Sequence, residues 1–325
     1  MASFADHMKD HQVEWALDHG ISTEMLEERK GVPSWVLRRE FREKNLYMSK
    51  WWEYIAGHEH RWARALNSSQ CFAVNLFAPL ADDPQLARKV WHHLWPRREI
   101  DVGAVVEVRF EHTPEKAPVW LGESGQPTQV DVFFTIRRQD RPLGYLLIEV
   151  KFTEAKFGEC RGFHPRRNAK DRNLDPGRCE DLKGILRDPG GWCWLAETQG
   201  RKYWEIMTSP GSSFDLGRVP LPSPCSFRDG LYQMMRNRCL ADSLMQTTEN
   251  VWADVAVCIH PANEKVRVLD NSVAGHEDVV EAMNEMLPDA SIGEIDPRGV
   301  VEAIRRESSE WIDWADTMIR RYELV

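Results

Sequence analysis

The stretch that decides the fold is Gln129-Val130-Asp131-Val132-Phe133-Phe134, followed after a short turn region by Tyr145-Leu146-Leu147-Ile148-Glu149-Val150-Lys151. Both runs are rich in the β-branched and aromatic residues typical of strands. Two such strands with a short connection predict an antiparallel hairpin. Asp131 lies near the start of the first strand and Glu149 near the end of the second, so this pairing brings the two carboxylates side by side.

An acid and an amine close the second strand. Side chains alternate along a strand, so Glu149 and Lys151 point to one face and Val150 to the other. Charged groups at the end of an apolar strand are costly unless something compensates. A Mg²⁺ ion held by carboxylates offers that compensation and leaves coordination positions for phosphate oxygens. A Glu-x-Lys pair alone is common, however, and the other interpretation is a partly exposed salt bridge at a sheet edge.

A third acid belongs to the strand before this hairpin. The run from Ala104 to Glu111 alternates as a strand does, and Glu111 at its end is the favoured additional metal ligand. Glu107 is the alternative, because residues four apart share a strand face and spacing does not separate them.

The order of elements indicates an α/β protein. Helical spacing dominates up to Leu94, strand patterns fill 104–152, and a helix and a strand follow at 231–244 and 253–260. The remaining patterns, at 277–286 and 297–322, are helical. We therefore expect a helical N-terminal extension over 1–66, a core over 67–262, and an acidic helical C-terminal segment over 263–325 packed on the core.

Asp131 followed by Glu149-Val150-Lys151 at the end of a hydrophobic strand resembles the PD-(D/E)XK nuclease superfamily, which has the restriction endonuclease-like fold. The resemblance implies an α-β-β-β-α-β core around a mixed sheet. It also implies that Asp131 and Glu149, with Glu111, bind Mg²⁺ (or Mn²⁺ as a substitute), and that Lys151 is the catalytic lysine. Gln129-Val130 stands where the superfamily often has a proline before the aspartate.

Two further segments look like a bacterial nuclease-like branch of that superfamily. One is Ser68-Ser69-Gln70 with Asn75-Leu76-Phe77 and Pro79-Leu80, and the other is Tyr232-Gln233-Met234-Met235-Arg236-Asn237. With them the resemblance covers roughly residues 66 to 260. Gln70 either caps local backbone groups or reaches a metal-bound water or a phosphate. Gln233 and Arg236 share a helical face, where the arginine binds phosphate or pairs with an acid of the sheet.

A basic run follows the motif strand. Residues 156–178 hold seven basic and three acidic side chains, centred on Arg166, Arg167 and Lys170. Such a run is usually a solvated loop, but directly after the catalytic strand it is also where a nucleic-acid backbone lies.

The net charge of −9 argues against a nucleic-acid partner only at first sight. Residues 249–325 hold 17 acidic and 7 basic residues, whereas the first 248 hold 34 and 35. The acidity therefore belongs to the C-terminal segment, which becomes a candidate surface for a homodimer contact or a protein partner.

Other classes of protein are disfavoured by composition. No run approaches the roughly 18 apolar residues of a membrane helix, and the polar, acidic start does not resemble a signal peptide, so we expect a cytoplasmic protein. Seven cysteines fit reduced thiols. The gaps of 19, 14 and 32 between Cys160, Cys179, Cys193 and Cys225 argue against a zinc site or an iron–sulfur cluster and favour buried free thiols.

The function indicated is that of a Mg²⁺-dependent endonuclease that hydrolyses phosphodiester bonds, with DNA favoured over RNA. The alternative is a catalytically silent module of the same fold that binds nucleic acid or a protein partner. The sequence leaves open the specificity, the endo- or exonuclease mode, the pathway and the oligomeric state.

Overall fold

The computed structural model describes residues 3–29, 32–165, 172–249 and 251–324. The strands are β1 (Leu26–Arg29), β2 (Val32–Leu37), β3 (Val105–His112), β4 (Val130–Arg138), β5 (Arg141–Lys151), β6 (Trp252–Ile259), β7 (Val268–Val273), β8 (His276–Asp278) and β9 (Gly293–Glu294). The helices are α1 (Phe4–Asp18), α2 (Ser69–Asp82), α3 (Pro84–Leu94), α4 (Ala117–Trp120), α5 (Leu182–Arg187), α6 (Pro189–Trp192), α7 (Trp194–Gln199), α8 (Tyr203–Met207), α9 (Tyr232–Thr247), α10 (Val279–Glu285), α11 (Pro297–Glu307) and α12 (Ile312–Arg321).

A five-stranded mixed sheet forms the centre, in the order β3-β4-β5-β6-β9. The first three strands pair antiparallel, and the decisive hairpin of β4 and β5 has the predicted pairing, with Val132 opposite Ile148. After β5 the chain returns through α9 to β6, which pairs parallel with β5, and β9 extends the parallel side. A mixed α/β fold with a mixed central sheet is therefore confirmed.

Each face of the sheet is covered by its own apolar layer. One face packs against α2, α3, α11 and α12, and the other packs against α9, α10 and the short helices between β5 and α9. Helix α3 shows how local sequence sets these elements: Asp83 accepts hydrogen bonds from two backbone N–H groups and Pro84 occupies the first turn. The end of β3, the start of β4 and the end of β5 meet on one side of the sheet, and Glu111, Asp131 and Glu149 lie there.

The predicted helical N-terminal layer is only partly correct. Helix α1 is present, but the segments at 23–29 and 34–41, whose apolar spacing suggested helices, contain the hairpin of β1 and β2 and short 3-10 helices. Leu26 and Leu37 pair across this hairpin and are buried against Ala16 of α1. The burial of this hairpin against the rest of the fold outweighs the helix-like spacing of its apolar residues.

The C-terminal segment, expected to be helical, contains both helices and strands. The single pattern at 297–322 is divided into α11 and α12, and the segment also supplies β9 to the central sheet. Trp314 donates its indole N–H to the carbonyl of Asn75 at 2.9 Å, and the Asn75 amide donates to the Tyr322 hydroxyl at 2.7 Å. These buried bonds attach the segment to α2. Where the domain boundaries lie stays a prediction.

Within the described ranges, no helix has both the length and the apolar character needed to cross a membrane.

Candidate active site

The ends of β4 and β5 bring Asp131, Glu149 and Lys151 together. Asp131 Oδ2 accepts a hydrogen bond of 2.8 Å from the backbone N–H of Val150. Glu149 and Lys151 share a face as predicted, and the lysine Nζ donates to Glu149 Oε1 at 2.7 Å. Both members of the pair are buried, with side chains 3% and 7% exposed.

The buried lysine is held in its charged form. Burial alone would lower the pKa of Lys151, but the nearby carboxylates of Glu149, Glu154 and Asp131 outweigh it and raise that pKa above its usual value. Asn237 of α9 donates to the second oxygen of Glu149 at 3.0 Å. Both oxygens of Glu149 therefore have partners, and Lys151 remains a fixed cation beneath the site.

The surroundings of Asp131 disfavour its charged form, whereas those of Lys151 favour the charged form. Its pKa is raised well above the ordinary value, first by burial and then by the charges of Glu149 and Glu111, while Lys151 and the Val150 N–H oppose the shift. A carboxylate surrounded by two others needs additional positive charge to stay ionised at neutral pH.

Glu111 is the third acid of the site. Its backbone has a left-handed φ of 46°, and this interrupts the alternation of β3 so that Phe110 and Glu111 are both buried. Glu107, the alternative, pairs with Arg109 at 2.6 Å and with Arg137 at 3.2 Å. The structure thus brings Glu111 to Asp131 and leaves Glu107 outside the site.

Gln70 supports Glu111. Its amide donates to Glu111 Oε1 at 2.7 Å and to the carbonyl of His58 at 3.0 Å, and its oxygen accepts from the backbone N–H of His60 at 2.9 Å. Gln70 is 3% exposed, and its amide group is occupied by these hydrogen bonds to Glu111 and to the backbone.

Sequence reasoning missed His60. Its Nε2 lies 3.2 Å from Glu111 Oε2, in ion-pair range, yet that oxygen has no hydrogen bond of good geometry among the described residues. The Glu111 carboxylate raises the pKa of His60 against the effect of burial. A histidine in an irregular segment has no periodic signal, and its proximity to Glu111 comes from the tertiary fold.

A cleft of about 420 Å³ opens over this edge. Glu111 and Asp131 line it, whereas Glu149 and Lys151 lie beneath. Of the residues predicted to contact nucleic acid, Gln233 and Arg236 line the cleft from α9. Arg166, Arg167 and Lys170 lie outside the described residues.

Arg236 is part of a buried ion pair. Its guanidinium donates to Glu123 Oε1 at 3.1 Å and to the Thr128 hydroxyl at 3.1 Å. Glu123 has a fully buried side chain, which also accepts from the Tyr203 hydroxyl at 2.6 Å. Of the two sequence interpretations of Arg236, pairing with an acid is the one that the structure contains, although the acid belongs to the loop before β4.

Two further arginines line the cleft: Arg161, which belongs to the basic run at 156–178, and Arg201, which was not predicted. Arg201 Nη1 lies 3.6 Å from Glu123, and its Nε and Nη1 have no hydrogen-bond partner among the described residues. With Arg236, they place positive charge opposite the carboxylates, an arrangement suited to phosphate.

Within the described part of the chain, no three His, Cys, Asp or Glu side chains are already grouped to hold a metal ion. The donor chemistry nevertheless fits a hard divalent cation, since carboxylate oxygens are its preferred ligands. Glu111 Oε2 lacks a hydrogen bond, and Lys151 and the Val150 N–H only partly offset the burial and the carboxylates that raise the pKa of Asp131. Closing such a site requires Glu149 to exchange one of its present partners.

An α/β fold whose mixed central sheet gathers acids and a lysine at the ends of neighbouring strands is the arrangement of a restriction endonuclease-like protein. The chain belongs to the family described as Restriction Endonuclease associating with ARP, whose model matches residues 32–323. This confirms the resemblance to a restriction endonuclease-like nuclease family. No curated protein and no solved structure matched the chain.

Proposed function

We propose that this chain is a Mg²⁺-dependent endonuclease that hydrolyses phosphodiester bonds, with DNA as the substrate. The observation that carries the proposal is the meeting of three acids, Asp131, Glu149 and Glu111, beside the buried cation of Lys151 at the edge of an arginine-lined cleft. The α-β-β-β-α-β order would be its catalytic core, over 67–262.

Asp131, Glu149 and Glu111 would hold the metal. When bound, Mg²⁺ polarises the phosphodiester and lowers the pKa of a coordinated water. Lys151, kept protonated by its carboxylate neighbours, orients the attacking water and neutralises charge that develops on the phosphate. Gln70 keeps Glu111 in position through its 2.7 Å bond.

The cleft side chains would bind the rest of the substrate. Arg201 lines the cleft with its guanidinium 3.6 Å from Glu123, and it would contribute positive charge that attracts a phosphate. Arg236 already bonds Glu123, so its contribution is to the shape and charge of the wall. The basic run with Arg166, Arg167 and Lys170 extends this surface in the proposal.

The test is a cleavage assay with supercoiled DNA, single-stranded DNA and single-stranded RNA, each with Mg²⁺, Mn²⁺ or EDTA. Lys151→Ala is the active-site variant. Glu107→Gln is the matched control, because it removes a strand carboxylate whose partners lie outside the site. We expect metal-dependent cleavage by wild type and by Glu107→Gln, and loss in Lys151→Ala. Equal cleavage by all three proteins contradicts the proposal.

A catalytically silent module is the second candidate function, favoured by one observation. Both oxygens of Glu149 are hydrogen-bonded, to Lys151 and Asn237, and this arrangement is stable without a metal. Such a module would retard DNA in a gel without cutting it under any of the metal conditions, and Lys151→Ala would retard it equally.

The family's description names association with ARP. We extend the proposal to a protein partner of this kind for the present chain, docking on the segment over 263–325, with a homodimer as the alternative. Light scattering of the purified chain distinguishes the two, because a homodimer forms without any added protein.

A further inference from the structure

A second cleft lies beside the cleft over the candidate active site, which we call the active-site cleft. The second cleft has a volume of about 400 Å³, within the range of pockets that bind small ligands. His60 lines both clefts, and its Nε2 lies 3.2 Å from Glu111 Oε2. The two clefts are therefore neighbours that share one side chain. The second, named here the tryptophan cleft, is also lined by Lys9, Trp35, Trp62, Asn67, Ser69 and Thr153.

The tryptophan cleft is built on elements that also carry the active site. Thr153 follows Lys151 by two residues, just beyond the end of β5. Ser69 directly precedes Gln70 at the start of α2. The Asn67 amide donates to the Thr153 hydroxyl at 3.0 Å and joins these two segments. A ligand in the tryptophan cleft therefore lies against the same strand and the same helix that position Lys151 and Gln70.

The two tryptophans come from separate segments that the backbone holds together. Trp35 belongs to β2, and its carbonyl accepts a hydrogen bond of 2.9 Å from the N–H of Leu66. Val36 and Ala65 form an antiparallel bridge between the same two segments. Trp35 is half-buried, whereas Trp62 is 47% exposed. A paired backbone thus presents two large aromatic rings to one cleft.

A cation accompanies each of the two indoles. Lys9 Nζ lies 5.1 Å from the ring centroid of Trp35, and the Arg61 guanidinium lies 5.1 Å from that of Trp62. Both distances are in the range of cation–π interactions. Lys9 also pairs with Asp6 at 2.9 Å. Proteins that bind single-stranded nucleic acid combine aromatic rings, on which bases stack, with positive charge that attracts the backbone. The tryptophan cleft has both features.

The lining of the tryptophan cleft suits a base better than a phosphate. Lys9 and Glu154 carry opposite charges there, whereas the three arginines described above line the active-site cleft. A nucleobase has two apolar faces and a polar edge. The indoles match the faces, and the side chains of Asn67, Ser69 and Thr153 are of the type that hydrogen-bonds to the edge.

We propose that the tryptophan cleft binds an unpaired nucleobase of the same DNA whose phosphate lies in the active-site cleft. This inference rests on the proposed function and names its substrate more closely, as DNA with an unpaired nucleotide at the position of cleavage. The base stacks on Trp62 and Trp35, and the sugar–phosphate chain passes His60 from one cleft to the other. A base inside a continuous duplex is stacked and paired, so it does not reach the indoles unless it leaves the helix.

The experiment compares three DNAs, namely a single strand of thymidines, a fully paired duplex and the same duplex with one bulged thymidine. The affinity of the full chain is measured by fluorescence anisotropy in EDTA, so that no DNA is cut. We expect wild type to bind the single strand and the bulged duplex more tightly than the paired duplex. Tight binding of both shows that one unpaired base suffices. Tight binding of the single strand alone also supports the site and identifies a continuous strand as its ligand.

Substitution of Trp62 tests the stacking contact. Trp62→Leu should weaken binding of the unpaired DNAs about tenfold, through the loss of one base–aromatic contact, and should leave the paired duplex unchanged. Trp62→Phe keeps an aromatic face and should retain most of the affinity. Trp192→Leu is the matched control, because Trp192 is a half-buried indole with the Arg187 guanidinium 6.0 Å from its centroid and lines neither cleft. It should bind all three DNAs as wild type does.

Circular dichroism shows whether each variant is folded. If Trp62→Leu fails to fold, the ranking of the three DNAs by wild type and the affinity of Trp62→Phe still test the site. Equal affinity of wild type for all three DNAs overturns the inference. Unchanged binding by Trp62→Leu, or an equal loss for all three DNAs, also overturns it, and the tryptophan cleft then serves another ligand, such as a segment of a protein partner.

Cleavage of the same DNAs in Mg²⁺ separates this inference from the proposed function. A wild-type chain that cuts DNA without any preference dependent on Trp62 keeps the nuclease proposal and overturns the base site. A chain that binds unpaired DNA through Trp62 but cuts none of the three supports the base site and counts against the nuclease. Failure of wild type to bind any of the DNAs overturns the base site as well.

Discussion

Substitution of Arg236 distinguishes a structural role of this residue from a direct contact with nucleic acid. Its side chain is 21% exposed and bonds Glu123, whose side chain has no exposure. Removing one partner of a buried ion pair costs about 3–5 kcal/mol, because the other charge is left uncompensated. Here the Tyr203 hydroxyl still donates to Glu123 and Arg201 lies 3.6 Å away. We therefore expect the loss for Arg236→Met to fall at the lower end, about 3 kcal/mol.

The assay is a double-mutant cycle by urea unfolding. Arg236→Met and Glu123→Gln each lower the free energy of unfolding, and the double variant should lose less than the sum of the two. Matched measurements of DNA affinity separate the roles, since a mere phosphate contact would weaken binding and leave stability unchanged. A loss below about 0.5 kcal/mol in Arg236→Met, typical of a surface substitution, would refute the reasoning.

Two further predictions concern residues that support the fold and the site. Burial lowers the pKa of His260 in the folded state against the opposing Tyr322 carbonyl and Glu323, so its neutral form stabilises the fold. That stability is lost as pH falls below about 6.5. In urea unfolding at neutral and acid pH, the free energy of unfolding should therefore fall more steeply with pH in wild type than in His260→Gln. Parallel declines in the two proteins would contradict this. Gln70→Met removes the 2.7 Å hydrogen bond to Glu111. A hydrogen bond to a charged group contributes about 1.5–3 kcal/mol, so the free energy of unfolding should fall by that amount. An unchanged midpoint of urea unfolding would show that Gln70 does not hold the acid.

The central sheet was predictable because its strands carry strong local patterns. The β4–β5 hairpin is specified by two nearly continuous apolar runs separated by a short turn. The return through α9 to β6 is specified by a helical period followed by an apolar strand. The hairpin of β1 and β2 was not predictable in this way, because its apolar spacing also fits a helix and packing on α1 decided the outcome.

The site was predicted in part for related reasons. Asp131, Glu149 and Lys151 follow from strand alternation, which holds along β5. Alternation fails at Glu111, where φ is positive, so sequence could not separate it from Glu107. Residues from irregular segments, such as Arg201, reach the cleft through tertiary contacts that leave no periodic trace.

Metal binding tests the central claim most directly, because it does not require the correct substrate, modification or partner. Mn²⁺ is titrated into the chain by calorimetry, with wild type, Asp131→Asn and Glu107→Gln compared under identical conditions. Since Asp131 lies between two other acids and Glu107 pairs outside the site, the account predicts binding by wild type and Glu107→Gln and its loss in Asp131→Asn. Equal binding by all three proteins, or no binding by wild type, would contradict it.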